Sequence, residues 1–309
     1  MKHLILGAGN LGLDLQHEIE TKELGDVETQ SLSTGLDVTN TEQLKKLISE
    51  TEADYIWYCV GFGSVEQVKK EREKAIAIHL RAPHTIMNMA PYWSKIIFFS
   101  SDHVADEAHP DRADLISPIH RSEFAKIKSH FEILTNNFGR ANTAVVRIGS
   151  LYGLHKPLET FPGRILRTFG PNPDLKIRLP QNLVTPTPTL WLASVLLSNL
   201  DSLFNEDRPL THHCAPSGNV SVWDWATFVL QGLREPSAFT REKFIDQSRP
   251  ELSALDCSFL QTNWHWNELW NTYFKPEWYS TELEDEPGAE DSEEPDANPP
   301  QEQPSAPPS

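Results

Sequence analysis

The 309-residue sequence predicts an α/β protein with a doubly wound parallel sheet, a smaller C-terminal lobe and an acidic tail. Two observations support this fold class. Short apolar segments alternate with amphipathic helical segments through the first half of the chain, which is typical of parallel sheets flanked by helices. The segment DYIWYCVG (54–61) is almost continuously apolar, as expected of a strand that is covered on both faces.

The elements are predicted in chain order from these patterns. HLILGAGNLGLDLQHEIE (3–20) predicts a strand, a glycine turn and a helix, and DVETQSLS (26–33) predicts a second strand. Thr39 and Glu42 fit a capping box at the start of the next helix. Further along lie the predicted strand 54–61, a helical stretch 65–89, a strand 95–101, a helix 123–138 and a strand 143–150.

The first strand leads into a GxGxxG motif formed by Gly7, Gly9 and Gly12. Its position between a strand and a helix predicts a dinucleotide site: the first glycine permits a tight turn, the second admits a pyrophosphate, and the third allows close packing. The helix start, with Asn10 and Leu11, would offer free N–H groups to the phosphates. A merely tight strand-to-helix turn is the alternative interpretation.

The sequence leaves the choice between NAD and NADP open. The second strand is followed by Ser31, Ser33 and Thr34, which provide neither the usual ribose-binding acid nor an arginine for a 2′-phosphate. Asp37 is a candidate for the adenine edge, and a turn or helix-capping aspartate is the alternative.

Charge, cysteine content and apolar segments exclude several other classes of function. Residues 281–309 contain ten acidic and no basic residues, so about −7 of the net charge of −17 belongs to the rest of the chain. We expect this tail to be disordered, acting as a solvating appendage or docking to a basic protein partner, and we expect no nucleic-acid binding. The three distant cysteines predict free thiols and no metal site. No apolar run is long enough for a membrane span, and the first apolar run leads into a glycine loop and not into a cleavage site, which predicts a cytoplasmic protein without a signal peptide.

The pattern changes after Tyr152, where prolines and tryptophans become frequent and segments shorten. We therefore divide the chain into a nucleotide-binding domain (1–150), a substrate-binding lobe with some return to the first domain (151–280) and the tail (281–309). Within the lobe, Ser221 and Asp224 predict a helix start.

Six segments in order give the chain a resemblance to the dTDP-4-dehydrorhamnose reductase family of extended short-chain dehydrogenases. They are LDVTN (36–40), FFSSDHVADE (98–107), VVRIGSLYG (145–153), QNLVTPTPTLWLASVL (181–196), HHCAPSGNVSVWDWATF (212–228) and SRPELSALDCSFL (248–260). The resemblance implies a Rossmann-type fold, an NADP or NAD cofactor, a nucleotide-sugar ligand and reduction of a 4-keto group. A homodimer is a further possibility.

In the family, a tyrosine supplies the proton, a lysine lowers the pKa of that tyrosine, and a serine or threonine holds the carbonyl oxygen. By resemblance, Ser101 matches the hydroxyl and Lys128 the lysine, whereas Phe124 occupies the tyrosine slot. A rival register pairs Ser122 with Lys126, and it also lacks the tyrosine.

The resemblance places further residues in the site. The expected cofactor-binding residues are Gly7, Gly9, Asn10, Leu11, Gly12, Asp37, Val38, Val60, Gly61 and Lys128. The expected substrate-binding residues are Ser101, Asp102, Arg147, Ser150, Thr187 and Arg249.

Three functional hypotheses follow. The first is a nucleotide-sugar ketoreductase, in which His103 or His120 is the candidate to replace the missing tyrosine as the acid. The second is a non-catalytic relative that acts as a regulatory or interaction subunit, as the β subunit of methionine adenosyltransferase does. A sugar epimerase or dehydratase is the weaker third, because those enzymes also rely on the tyrosine.

Overall fold

The computed structural model describes residues 1–62, 64–169, 178–205, 207–231, 244–252, 255 and 264–274. Six strands of this part form one parallel sheet in the order β2-β1-β3-β4-β5-β9. The sheet strands are β1 Lys2–Leu6, β2 Asp26–Gln30, β3 Tyr55–Tyr58, β4 Lys95–Ser101, β5 Thr143–Ile148 and β9 Leu210–Cys214. The strand order reverses direction between β1 and β3, which is where ligands bind in such sheets.

Short strands outside the main sheet form two pairs in the described residues. They are β6 Ser150–Tyr152, β7 Leu183–Val184, β8 Pro186–Pro188 and β10 Val220–Ser221. The helices are α1 Asn10–Thr21, α2 Thr41–Glu50, α3 Val65–Lys70, α4 Arg72–Ile76, α5 Ala82–Met89, α6 Glu123–Phe138, α7 Phe161–Phe169, α8 Thr189–Ser198, α9 Val222–Val229 and α10 Trp266–Tyr273.

Helices cover both faces of the main sheet, as the apolar strands predicted. One core cluster joins α1 and α8 to one face through residues such as Leu15, Trp57 and Leu196. A second cluster joins α2, α5 and α6 to the other face through residues such as Ile56 and Phe131. Burial on both faces explains why these strands lack an alternating polar pattern.

Helix α6 has the predicted bounds because both of its ends are specified locally. The Ser122 hydroxyl accepts a hydrogen bond from the Ala125 N–H at 3.2 Å, which caps the start of the helix. Gly139 ends the helix with φ +69°, a left-handed conformation that glycine adopts at low cost. The same helix carries the two residues on which the catalytic prediction depends.

One local prediction was wrong. Asn40 caps α2 by accepting a hydrogen bond from the Gln43 N–H at 3.1 Å, so the cap lies one residue after the predicted Thr39 and does not include Glu42. The stretch 65–89 is helical, as predicted, but it is divided into several elements. It comprises α3, α4, a π-helical turn at Ala77–Arg81 and α5, and the π-helical turn changes which side chains point toward α6.

The region after Tyr152 contributes to two places. Strand β9 returns to the edge of the main sheet, while Tyr152, Trp225 and Trp270 pack together in a separate core cluster. The Ser221 hydroxyl caps α9 by accepting from the Asp224 N–H at 2.9 Å, as predicted. The acidic tail 281–309 lies outside the described residues. In the described part of the chain, no helix has both the length and the apolar character needed to cross a bilayer.

Candidate functional site

The glycine loop has the geometry that its sequence predicts. Gly7 has φ +110°, and its N–H donates to the Gln30 carbonyl at 2.8 Å. A Cβ added to Gly12 would lie 1.9 Å from the Gly7 carbonyl oxygen, so any side chain there would push α1 away from β1. Gly7 therefore allows the backbone to turn, and Gly12 allows α1 to pack close to β1.

Gly9 differs from the other two because the space beside it is open. A Cβ added to Gly9 would meet no atom within 4 Å, and Gly9 lines a cavity together with Asn10 and Leu11. Gly9 is the N-cap of α1 and has no side chain that could satisfy the first N–H groups of the helix. The arrangement fits an anion that approaches the helix start.

This cavity has a volume of about 510 Å³ and lies at the carboxyl ends of the sheet strands. Its walls come from the glycine loop, the segments after β3, β4 and β5, and the second part of the chain. Of the predicted cofactor residues, those that line it are Gly9, Asn10, Leu11, Val60, Gly61 and Lys128.

The cavity does not extend to Asp37 or Val38. Asp37 is exposed, and its carboxylate accepts hydrogen bonds from the Thr39 N–H at 2.9 Å and the Thr39 hydroxyl at 2.7 Å. The hydrogen bond from the Thr39 hydroxyl lowers the pKa of Asp37 most, and the hydrogen bond from the Thr39 N–H lowers it further. Val38 packs in the core cluster with α2. Asp37 thus forms a turn with Thr39 and lies outside the cavity lining.

Lys128 lies in the cavity wall one helical turn after Phe124. Its Nζ donates to the Phe99 carbonyl at 2.8 Å, and the residue is only 8% exposed. Burial lowers the pKa of Lys128 to about 8, and the charge of Glu132 acts in the opposite direction. The ammonium therefore titrates near the range in which an enzyme uses an acid or base.

Phe124 lines the same cavity, and its ring contacts two histidines. The edge-to-face contact with His103 has a centroid distance of 5.3 Å, and that with His79 has one of 6.3 Å. The rival register is not brought to the cavity: Ser122 caps α6, and Lys126 is half exposed and pairs with Glu123 at 2.8 Å.

Ser101 and Asp102 end β4 at the cavity, and both are buried. The Ser101 hydroxyl donates to Asp102 Oδ1 at 2.8 Å and accepts from the His103 N–H at 3.2 Å. The structure thereby brings the predicted hydroxyl, carboxylate and lysine to one cavity with Phe124.

Arg147 and Thr187, two of the predicted substrate residues, do not reach the cavity. Arg147 is fully buried, and its guanidinium donates to Glu132 at 2.7 to 3.2 Å. Its Nη1 also lies 3.1 Å from Nε2 of His213, whose pKa is lowered to about 4 by burial and then by the Arg147 charge. Thr187 is fully buried and donates to the Thr185 carbonyl at 3.1 Å. Both side chains therefore form hydrogen bonds within the fold and do not line the cavity.

Ser150 and Arg249 do line the cavity, and Arg249 is joined there by Arg164, which sequence reasoning missed. Arg164 Nη1 donates to the Glu159 carbonyl at 2.8 Å. Burial is the largest cause that lowers the pKa of Arg164, and the positive charge of Arg249 lowers it further. Arg249 also pairs with Asp246, whose Oδ2 lies 3.9 Å from its Nε. The two guanidinium groups can each offer charge-assisted hydrogen bonds to an anionic ligand in the cavity.

His79 is the second residue that sequence reasoning missed. It is 2% exposed and lies in the π-helical turn, where its Nε2 accepts from the Phe62 N–H at 3.5 Å. Burial, and after it the charge of Lys128, holds the pKa of His79 well below its ordinary value. Its only signal in the sequence was a histidine in the short apolar segment AIAIHL (75–80).

A pair of hydrogen bonds fastens the glycine loop to the opposite wall. Asn10 Nδ2 donates to the Lys156 carbonyl at 3.1 Å, and its Oδ1 accepts from the Lys156 N–H at 2.8 Å. The segment that follows contributes Glu159, Thr160 and Phe161 to the cavity wall. Asn10 therefore positions that wall relative to the start of α1.

Several solved structures share this fold. The dTDP-4-dehydrorhamnose reductase of Clostridium acetobutylicum superposes with a TM-score of 0.74 at 24% identity, covering 88% of this chain and 98% of that one. The reductase of Bacillus anthracis, in complex with NADP, has a TM-score of 0.71 at 21% identity, with coverages of 88% and 96%. The UDP-glucose 4-epimerase of Thermus thermophilus, in complex with NAD, has a TM-score of 0.67 at 14% identity, with coverages of 83% and 91%.

At these identities the similarity establishes the fold. No curated protein sequence matches the chain. The model of the RmlD substrate binding domain family matches residues 1–275, which include both the glycine loop and the cavity. This match spans most of the 309 residues, and the chain therefore belongs to the RmlD substrate binding domain family.

Proposed function

We propose that the protein binds NADP or NAD together with a nucleotide-linked sugar and reduces a keto group of that sugar. One observation carries the proposal: a single cavity joins the open start of α1 to Ser101, Lys128 and a pair of arginines. Such a cavity accommodates a cofactor and a substrate in contact, which hydride transfer requires.

The dinucleotide would be held at the glycine loop. The N–H groups at the start of α1, beginning beside Gly9, suit its pyrophosphate, and Val60 and Gly61 form the adjacent wall. Lys128 faces the same space and would hold the nicotinamide ribose. The bound cofactor supplies hydride.

The sugar nucleotide would occupy the other part of the cavity. Arg164 and Arg249 suit a diphosphate, because guanidinium groups form strong charge-assisted hydrogen bonds with phosphate oxygens. Ser101 and Ser150 then face the sugar. The Ser101 hydroxyl donates to Asp102 Oδ1 and can turn to donate to the keto oxygen.

A second candidate function is favoured by Phe124. A phenylalanine has no proton to give, and its ring packs against His79 and His103 as an ordinary aromatic contact. Loss of a positioned general acid costs about 10²–10⁴-fold in rate. A non-catalytic member that binds both ligands and regulates a partner is therefore the alternative.

Binding and turnover separate the two candidates. Calorimetry with NADPH and NADH should show binding by the wild type and its loss in Gly9→Val, whose branched side chain fills the open space beside the loop. Absorbance of the reduced nicotinamide should then decrease on addition of dTDP-4-dehydrorhamnose. Binding without turnover would support the non-catalytic function, and absence of dinucleotide binding would overturn both.

A further inference from the structure

His103 is a buried residue of the cavity wall, and one of its ring nitrogens has no hydrogen-bond partner. The residue is 7% exposed and lines the cavity directly after Ser101 and Asp102. Its Nδ1 is buried and has no hydrogen-bond partner, whereas its backbone N–H is engaged by the Ser101 hydroxyl. Buried polar groups are normally satisfied, so a ligand group in the cavity would complete the hydrogen bonding of this ring once the ring turns toward the cavity.

The His103 ring lies in direct contact with Phe124. The His103 ring meets the Phe124 ring edge-to-face at 5.3 Å with an interplanar angle of 90°. The histidine therefore lies beside the slot in which the family has its tyrosine. It also follows Ser101, the expected partner of the keto oxygen, by two residues.

Other described residues near the site are less suited to the same role. His79 already accepts from the Phe62 N–H and lies farther from Phe124, at 6.3 Å. His120 also has a buried Nδ1 without a partner, but it lies outside the cavity lining, and its Nε2 is 3.4 Å from the Ser129 hydroxyl. Lys128 already donates to the Phe99 carbonyl.

We infer that His103 is the proton donor for keto reduction in this protein, an inference that rests on the proposed reductase function. In the step, hydride from the reduced nicotinamide forms a C–H bond at the carbonyl carbon, and the carbonyl π pair moves to oxygen. That oxygen takes a proton from the His103 imidazolium, whose N–H bond breaks. The products are the secondary alcohol, the oxidised nicotinamide and neutral His103, so atoms and electrons balance.

The surroundings of His103 determine the pH range in which it can donate. Burial is the largest influence and lowers the pKa of His103 from its ordinary value of 6.5. The carboxylates of Asp102, Asp246 and Glu66 oppose this effect, whereas the Arg249 guanidinium adds to it. The acid form of His103 is thus present at low pH and is lost as pH rises.

The test compares His103→Gln with His120→Gln, a matched change outside the cavity. The assay is kcat/KM for NADPH oxidation with dTDP-4-dehydrorhamnose across the acid and neutral pH range. We expect the wild-type value to fall about tenfold per pH unit above the His103 pKa, since one proton is required. His103→Gln should lose about 10²–10⁴-fold at acid pH and lose that dependence, whereas His120→Gln should keep both.

Nuclear magnetic resonance supplies a readout that does not depend on turnover. Ring ¹⁵N shifts of histidine-labelled protein, assigned with the same two variants, give the titration midpoint of His103 in the free protein. This midpoint should equal that of the kcat/KM profile, because kcat/KM reports the free enzyme.

Three results would overturn the inference. One is a His103→Gln variant with wild-type rate and pH profile. Another is a mismatch between the two midpoints, in particular a rate that falls only near the Lys128 pKa of about 8, which would assign the proton to Lys128. The third is absence of turnover by a wild type that binds NADPH, which overturns the reductase function as well.

Discussion

Replacing Phe124 by tyrosine restores the acid that the family uses. The ring already lines the cavity and is partly exposed to it, so one added oxygen costs little space. Phe124 and Lys128 are four residues apart on α6 and therefore lie on the same face of the helix. The Lys128 ammonium should then lower the pKa of the new phenol, as an opposite charge does for an acid nearby.

The expected gain for Phe124→Tyr is about 10²-fold or more in keto-sugar reduction, within the usual range for a positioned general acid. A 10²-fold gain corresponds to about 2.7 kcal/mol of activation free energy. It should be largest near neutral pH, where His103 is neutral and Lys128 is still charged, because the lowered pKa of His103 leaves little imidazolium there.

The assay is NADPH oxidation with dTDP-4-dehydrorhamnose, with NADPH binding measured on the same samples. Ser122→Tyr is the control, because Ser122 caps α6 and represents the rival register. That variant should gain no activity and should lose about 0.5–2 kcal/mol of stability with the cap. A gain from Ser122→Tyr alone, or no gain from Phe124→Tyr with cofactor bound, would refute the reasoning.

Three further predictions concern stability. Gly12→Ala should lower the melting temperature, measured by circular dichroism, because its Cβ would lie 1.9 Å from the Gly7 carbonyl oxygen; an unchanged value would contradict this. Arg147→Met should lower the free energy of unfolding in urea by about 3–5 kcal/mol by leaving Glu132 buried without its partner, and a loss below about 1 kcal/mol would contradict the pairing. Lys128 has a folded-state pKa of about 8 against an ordinary 10.5, so the unfolded chain binds more protons between these values. The free energy of unfolding should therefore rise with pH across that range by about 3 kcal/mol, and Lys128→Met should lack this rise.

Local patterns were sufficient for the elements that carry the site. Strand β4 and helix α6 have their predicted bounds, and the glycine loop has its predicted turn, because caps and glycine conformations act within a few residues. The position of Phe124 one turn before Lys128 follows from the helical repeat alone. The displaced cap at Asn40 shows that such signals can still be wrong by one residue.

Tertiary packing decided which side chains face the cavity. Arg147 lies in a strand that is buried on both faces, so its sequence contains no alternation that distinguishes the ligand side from the helix side. Its pairing with Glu132 on α6 depends on how that helix crosses the sheet. Arg164 and His79 reach the cavity only because α7 and the π-helical turn pack beside it, and contacts between residues distant in sequence have no local signal.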